Sequence, residues 1–443
     1  MPGRGPGSLP LTAEMTVTQE AGGKALGLQG KETIGPISVT AKGHDREPAT
    51  VHVVHDTVQS GDEVRVTALS LVADRPKGRP DRAAVSGSVR LGPRPHLQLH
   101  GSLDAFDADW YAALTASPSE RPQAGKAFGK PHDGKDDETG IALPLDLDVD
   151  IRIGAVTYWT LEIANGRLIA KGDGDSMQAT LEPIGLAGGS VQGTVTVALK
   201  GGQPEFAWDA TGNALDLSLI TKAAFAEPEP RVTGRGGFTT SGTGLGQGET
   251  LLQSLSGTAV FDIADGQFIK SRLLEFLAEK TRIEQFRGLG FQTVHGELQI
   301  KDEWVHLNQV RVESPSVAVE AGGKIGLNGQ LDVQVQPKIG PTLSDHVQIP
   351  CLNQFMKTVD GFTVLPVAVT VEGTTENPSY GVSTMAGSTL GRQTGALIGT
   401  IADLFTGCRG GEAAQKATEK ALGTAKQTVD DLFKDLFVGK EKQ

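Results

Sequence analysis

The sequence is poor in cysteine and aromatic residues, and it contains no long apolar run. Two cysteines in 443 residues exclude a disulfide-dense scaffold. Aromatic residues make up 5% of the chain and 58 residues are glycine, which favours many short strands joined by tight turns. No run of about 20 uncharged apolar residues occurs, so we expect no ordinary transmembrane helix. Residues 1–10 also lack the apolar core of a signal peptide.

The chain also lacks an excess of positive charge and the common catalytic motifs. Its net charge is −12, whereas nucleic-acid-binding domains carry a basic surface, so we expect no nucleic-acid partner. The Gly-x-Ser-x-Gly elbow, the His-Glu-x-x-His helix and paired Cys-x-x-Cys motifs are absent from the sequence. We therefore expect a non-enzymatic protein with no cofactor and no metal.

Two groups of polar residues come closest to a metal site. His52 and His55 lie three residues apart in a strand-like segment, so their side chains point to opposite faces, and we interpret both as solvent-facing. Asp146, Asp148 and Asp150 share a face, but neighbouring members are about 6.6 Å apart on a strand, too far to share a proton. A weak calcium site is the alternative to an ordinary solvated face.

Period-two alternation of apolar residues is the main structural signal. It is clearest in residues 296–337, where turn residues such as Asn328-Gly329 separate the alternating runs. It recurs in residues 141–153, with aspartate and arginine between the apolar positions. The pattern predicts antiparallel strands with one aliphatic face, formed by Leu143, Leu145, Leu147, Val149, Ile151, Ile153, Leu298, Ile300, Val310, Val312, Val317, Val319, Ile325, Leu327, Leu331, Val333 and Val335.

Composition divides the chain into four regions. Residues 1–115 predict an N-terminal β region, and residues 116–140, rich in Pro, Gly, Ser and charge, predict a flexible loop or linker. Residues 141–382 predict a second β region, and residues 383–443 a helical C-terminal tail. Within the second region, Gly322-Gly323 and Asn165-Gly166 are expected breaks between strands.

Three shorter patterns carry further predictions. Residues 233–250 are rich in glycine and predict a loop that lacks the spacing of a phosphate-binding motif. Residues 269–286 show apolar positions at three-to-four spacing and predict one amphipathic helix. Asp104 and Asp216 each precede a short helical pattern in two similar segments, so we expect each to begin or cap a helix.

The tail has a composition of its own. Four glycines at four-residue intervals from Gly387 to Gly399 form one smooth helix face, and 412–438 carries an amphipathic stripe. A helical hairpin is the favoured interpretation and membrane insertion the alternative. The apolar tip, with Leu432, Phe433 and neighbouring residues, predicts docking to a membrane surface or an envelope partner protein.

The order of these elements resembles the C-terminal region of the AsmA-like envelope proteins. The resemblance covers about 141 to 382: the LPLDLDVDIRI strand, LEPIGLAGGSVQGTVTV, ALDLSLI, the glycine-rich stretch leading into LLQSLSGTAVFDIADGQF, the amphipathic helix and VAVTVEGTTENPSYGV. Members of the family usually begin with a transmembrane anchor, which this sequence lacks. The resemblance implies a mainly β protein of the repeating β-groove type, a long curved antiparallel sheet that forms an apolar groove.

The resemblance also implies a function and a location. Such proteins are thought to carry glycerophospholipids between the inner and outer membranes, in the periplasm, anchored to the inner membrane in the full-length protein. Because the periplasm is oxidising, Cys351 and Cys408 are a possible disulfide that fastens the tail to the sheet. Two alternatives stay open: a structural envelope protein that affects outer-membrane assembly, and a closed β-sandwich surface protein without lipid cargo.

Overall fold

The computed structural model describes residues 10–19, 25–38, 40–41, 44–45, 48–76, 79–115, 145–158, 160–200, 202–225, 227–281, 283–344, 357–365 and 367–384. The expected loop at 116–140, Leu143, both cysteines and, from residue 385 onward, the expected helical tail lie outside the described residues. Strands make up 71% of what is described.

The N-terminal region forms nine strands and a helix. These are β1 (Leu11–Gln19), β2 (Ala25–Ile37), β3 (Thr40–Ala41), β4 (His44–Asp45), β5 (Ala49–Ser60), β6 (Glu63–Asp74), β7 (Asp81–Arg90), β8 (His96–Asp104), β9 (Phe106–Asp107) and α1 (Ala108–Thr115). β3 and β4 form a separate two-stranded sheet. The other strands belong to the main sheet.

The second region begins with long strands that alternate with short helices. In chain order they are β10 (Asp146–Tyr158), β11 (Leu161–Asp173), β12 (Ser176–Leu186), β13 (Gly189–Lys200), β14 (Gln203–Asp216), α2 (Leu217–Phe225), β15 (Val232–Leu245), α3 (Gly248–Ser254), β16 (Ser256–Phe268) and α4 (Arg272–Thr281). A short 3₁₀ helix follows at Glu284–Phe286.

The remaining elements complete the sheet. They are β17 (Gly290–Lys301), β18 (Trp304–Glu313), β19 (Val317–Gly326), β20 (Gln330–Ile339), α5 (Pro341–Ser344), β21 (Lys357–Val359), β22 (Phe362–Val364), β23 (Val367–Thr374) and β24 (Pro378–Thr384). Together with β1, β2 and β5 to β16, these strands form one long, curved, unclosed sheet of 22 strands. The predicted fold class, mainly β with a curved antiparallel sheet, is confirmed, and its shape is consistent with a β-groove.

One parallel pairing joins the two β regions. β8 and β10 run in the same direction, with Leu99 opposite Val149, and the short β9 continues this parallel pairing with Phe106 opposite Val156. All other pairings in the main sheet of the described residues are antiparallel. A parallel pair needs a crossover connection, which here includes α1 and the segment that follows it. Residues 1–115 and 141–382 therefore contribute to a single continuous sheet.

Four helices follow strands that run in the same direction. β8, β14, β16 and β20 are parallel to one another through the alternating ladder, so α1, α2, α4 and α5 all leave the same long edge of the sheet. α3 follows the antiparallel strand β15 and lies at the opposite edge. We call the first edge the helix edge and the second the turn edge. The turn edge contains the Asn328-Gly329 turn, in which Gly329 has φ +86°.

Several local predictions are wrong. The glycine-rich stretch 233–250 is mostly strand β15, and Gly322-Gly323 and Asn165-Gly166 lie within β19 and β11. Glycine permits these strands because it leaves room for side chains on the neighbouring strand, as at Gly242 beneath Trp208. The helix expected over 269–286 is shorter, beginning at Arg272 and ending at Thr281.

The two predicted caps have different outcomes. Asp216 begins α2, because its Oδ1 accepts a hydrogen bond from the Ser218 backbone N–H at 2.8 Å. Asp104 does not cap α1. That role belongs to Asp107, whose Oδ1 accepts from the Trp110 backbone N–H at 3.1 Å. β9 adds residues between Asp104 and the helix, which local sequence pattern did not indicate.

Candidate functional site: the apolar face

The strand register assembles one apolar surface from distant parts of the chain. Residues directly opposite each other in a ladder point to the same side of the sheet. Val149 on β10 lies opposite Ala170, Ala170 opposite Ala179, Ala179 opposite Val195, and Val195 opposite Trp208. Small and large apolar side chains thus continue without interruption across five strands.

This surface extends in both directions. Toward the C-terminal strands, the same row continues through Gly242, Gly257, Ile300, Val305, Ile325, Leu331 and Gly373. Toward the N-terminal strands it continues through Leu99, Gly87, Val66, Thr57, Leu28 and Val17. We call this side of the main sheet the apolar face.

Most of the predicted groove residues lie on the apolar face. The strand register places there Leu147, Val149, Ile151, Ile153, Leu298, Ile300, Val310, Val312, Val317, Val319, Ile325, Leu331, Val333 and Val335. Leu145 precedes the first residue of β10, and Leu327 lies in the turn between β19 and β20 rather than in a strand.

A bulge in β18 explains a change in the alternation. Val310 and Val312 occupy even positions, whereas Val305 and Leu307 occupy odd ones, yet all four share the apolar face. The register shifts between Leu307 and Val310, which inserts one residue into β18. A bulge moves every later side chain to the other face, so it restores the apolar residues to a common side.

Helix α4 covers the helix-edge end of the apolar face. Leu277 on α4 is fully buried in a cluster with Phe286, and the cluster includes Val319 and Val335 of the sheet. Val312, Val317, Val319 and Val335 are at most 9% exposed. These four predicted groove residues therefore belong to a closed core beneath α4, and the interpretation of all predicted residues as an open wall is wrong for them.

A second cover lies over the N-terminal strands. Trp110 of α1 is fully buried with Val51 and Ala73, which lie opposite each other on β5 and β6. The guanidinium of Arg75 holds this helix to the sheet: its Nη2 lies 2.5 Å from Asp81 Oδ2 and its Nη1 3.2 Å from Asp107 Oδ2. Both helical covers lie at the helix edge.

The remainder of the apolar face has no packed cluster over it among the described residues. Leu147, Val149 and Ile151 are half-buried, as are Leu298 and Ile300 on β17. On the same face Val195 is 43% exposed and Met15 61% exposed. A surface of this composition is what a soluble chain usually covers, because contiguous exposed apolar patches beyond a few hundred Å² are rare.

Aromatic rings lie over glycines on the apolar face. Phe261 is opposite Gly296, Trp208 is opposite Gly242, and a Cβ at either glycine would overlap the facing ring. The Trp208 indole N–H also donates to Thr240 Oγ1 at 3.3 Å. In each pair the aromatic ring covers the backbone of the glycine, so the surface stays apolar even where a strand is rich in glycine.

The strand register places ionisable side chains on the apolar face as well, among them Asp81, Glu32 and His55. Asp81 is sealed beneath α1 and pairs with Arg75. Glu32 and His55 lie on β2 and β5, where His55 Nε2 is 3.0 Å from Glu32 Oε1. The interpretation of His55 as solvent-facing is wrong, since its side chain is only 18% exposed. Glu32 could not be predicted as part of a site from spacing along the sequence, because its partner His55 lies on another strand.

His52 lies on the other face of β5. Its Nδ1 is 3.0 Å from Thr33 Oγ1 and its Nε2 is 3.4 Å from Asp74 Oδ2. The two histidines therefore point to opposite faces, as their spacing on a strand requires.

The opposite face carries the charged residues. Asp150 accepts two hydrogen bonds from Arg167, at 2.7 and 2.6 Å, and these hold the pKa of the Asp150 carboxyl below its ordinary value. Asp146 pairs with Arg94 at 2.7 Å. No group of three His, Cys, Asp or Glu side chains suited to a metal occurs among the residues in the structure's described ranges. Asp146 and Asp150 are thus each paired with an arginine.

None of the described helices has the length and apolar composition needed to cross a membrane.

Comparisons with known proteins give no relatives. No family model matches the sequence, and no curated protein matches it. No solved structure matches the fold.

Proposed function

We propose that this chain is a non-enzymatic lipid-transfer protein that carries the acyl chains of glycerophospholipids along its apolar face. The observation that carries the proposal is the continuity of that face from β1 to β24. At about 4.8 Å per strand the row is roughly 85 Å long, several times the length of one acyl chain. Its central part has no packed cover among the described residues.

Burial of acyl chains supplies the driving force. Each methylene removed from water contributes about 0.8 kcal/mol, so a chain of sixteen carbons gains about 13 kcal/mol. Valine, leucine and isoleucine make no directional bonds, so a lipid bound to them has many equivalent positions along the row. The acyl chains of a lipid can therefore be kept out of water and still move along the sheet.

The described architecture favours this proposal over a closed β-sandwich. A sandwich needs a second sheet packed face to face about 10 Å away. Among the described residues the other sheet has only the two short strands β3 and β4. The packed clusters lie beneath α1 and α4, and neither of them includes a residue of the central strands β10 to β14.

The cellular setting forms part of the same proposal. The order of sequence elements resembles the AsmA-like envelope proteins, which supports a periplasmic location and transfer between the inner and outer membranes. The large apolar residues near the C-terminal end of the sequence support docking to a membrane surface or an envelope partner protein, and the net charge of −12 disfavours nucleic acid.

The proposal is tested by lipid recovery and site-specific crosslinking. The protein is purified in a mild detergent and extracted, and glycerophospholipids are measured by mass spectrometry. A photoreactive residue at Val149, on the apolar face, should crosslink to lipid; one at Asp148, its neighbour on the opposite face, should not. Absence of bound lipid, or equal crosslinking at both positions, contradicts the proposal.

A further inference from the structure

Glu32 and His55 form a polar pair whose neighbours on the adjacent strands are apolar. Glu32 lies opposite Val53 on β5, and His55 lies opposite Leu69 on β6. Each of the two polar side chains is 18% exposed. The pair is far from the cover formed by α4 and lies beside Met15, which is 61% exposed.

The backbone is shaped to hold this pair. Gly30 lies opposite His55, and a Cβ at position 30 would overlap both the imidazole Nε2 and the Glu32 carboxylate. Glycine at this position allows the imidazole ring to lie across β2 and reach Glu32. The same arrangement of a planar ring over glycine supports Trp208 and Phe261, but here it positions a polar group.

The pair is not required for packing. A half-buried carboxylate and imidazole lose hydration that aliphatic side chains of similar volume would not lose, and replacing such a pair by apolar residues is often neutral or stabilising. A surface built only to hold acyl chains therefore gains nothing from it. Its presence on this face indicates a ligand with a polar group.

The hydrogen-bonding capacity of the pair defines the ligand. With the Nε2–H donating to Glu32 Oε1, the second carboxylate oxygen and the imidazole Nδ1 remain as acceptors. Two acceptors and a negative charge suit a cationic donor. A primary ammonium group supplies three N–H donors and a positive charge.

We propose that Glu32 and His55 bind the ammonium headgroup of an ethanolamine-type glycerophospholipid whose acyl chains lie on the neighbouring apolar strands. This inference rests on the proposed lipid-transfer function and adds a headgroup preference to it. The carboxylate repels an anionic headgroup, as does the net charge of −12. Binding is thus selective for amine-bearing lipids over phosphatidylglycerol.

The test compares two headgroups in one experiment. The full chain is incubated with vesicles of equal parts phosphatidylethanolamine and phosphatidylglycerol, reisolated, and its bound lipids are quantified by mass spectrometry. We expect about fivefold enrichment of phosphatidylethanolamine over the vesicle ratio, from one partly exposed charge-assisted hydrogen bond. In Glu32→Gln, which keeps the side-chain volume and removes the charge, the enrichment should disappear.

Asp56→Asn provides the matched control. Asp56 follows His55 on β5, so its side chain points to the opposite face, and its loss should leave the enrichment unchanged. Thermal unfolding of all three proteins establishes that they are folded. Equal headgroup ratios in wild type and Glu32→Gln overturn the inference while lipid binding itself stands. Recovery of no lipid from the wild-type protein overturns the proposed function and this inference with it.

Discussion

Phe261 on β16 lies directly opposite Gly296 on β17, with its ring over the glycine backbone. Any Cβ at position 296 would occupy the space of that ring. A glycine within strand β17 thus makes room for an aromatic ring on β16, and this keeps the apolar face of the sheet smooth.

Gly296→Ala should destabilise the protein by about 1–3 kcal/mol, because the added methyl group forces Phe261 out of its position. Gly290→Ala is the control on the same strand, since a Cβ there would meet only ordinary contacts. Chemical denaturation measures both free energies of unfolding. If Gly290→Ala lowers the free energy of unfolding as much as Gly296→Ala does, the loss comes from strand propensity and not from overlap with the Phe261 ring.

Helix α4 should contribute substantially to stability through its buried face. Leu277→Ala removes a fully buried side chain from the cluster beneath the helix and should cost about 2–5 kcal/mol. Leu252→Ala, on α3 with 37% exposure, should cost about 1 kcal/mol or less. Urea denaturation of the two variants compares them. Similar values would mean that α4 is not a packed cover.

Charges on the covered and uncovered parts of the apolar face should have different effects. Val319→Glu places a carboxylate beneath α4, where the wild-type residue is 6% exposed, and it should unfold the protein. Leu147→Glu lies on a half-buried position and should leave the sheet folded while lipid recovery falls.

Circular dichroism and lipid mass spectrometry together distinguish these outcomes. Asp148→Lys, on the opposite face of β10, is the control and should retain both the fold and the lipid. If Leu147→Glu and Asp148→Lys reduce lipid recovery equally, the assignment of faces is wrong.

His295 should titrate above the ordinary histidine value. Its Nδ1 lies 2.7 Å from Asp262 Oδ1, and this hydrogen bond raises the pKa of His295 above 6.5. Because the folded-state pKa is raised, the pair's stabilising contribution is fully present below the ordinary histidine pKa. It is lost as pH rises through the raised value.

An NMR titration of the His295 ring protons checks the direction of this shift. Asp262→Asn should move the pKa of His295 back toward its ordinary value. An unchanged titration in that variant would mean that the carboxylate does not control the imidazole. Since the His295 side chain is 41% exposed, the effect on overall stability should be small.

The sequence by itself predicted the strands and most of their faces. Alternation in a strand is a local property, because successive side chains point to opposite sides whatever the partner strand is. It therefore placed Leu147 and Val149 on one side and Asp148 on the other. It failed where glycine lies inside a strand, as in β15, because glycine also marks turns.

Only the tertiary structure decided which parts of the apolar face are covered and which polar groups meet on it. Val319 and Leu147 both belong to strands in which apolar and polar residues alternate. Helix α4 nevertheless packs over Val319, whereas Leu147 stays half-buried. Glu32 and His55 are separated by 23 residues along the chain, and their contact depends on the register of β2 with β5. Register is a relation between strands that the loops and long-range pairing fix, so the periodicity of one strand carries no information about it.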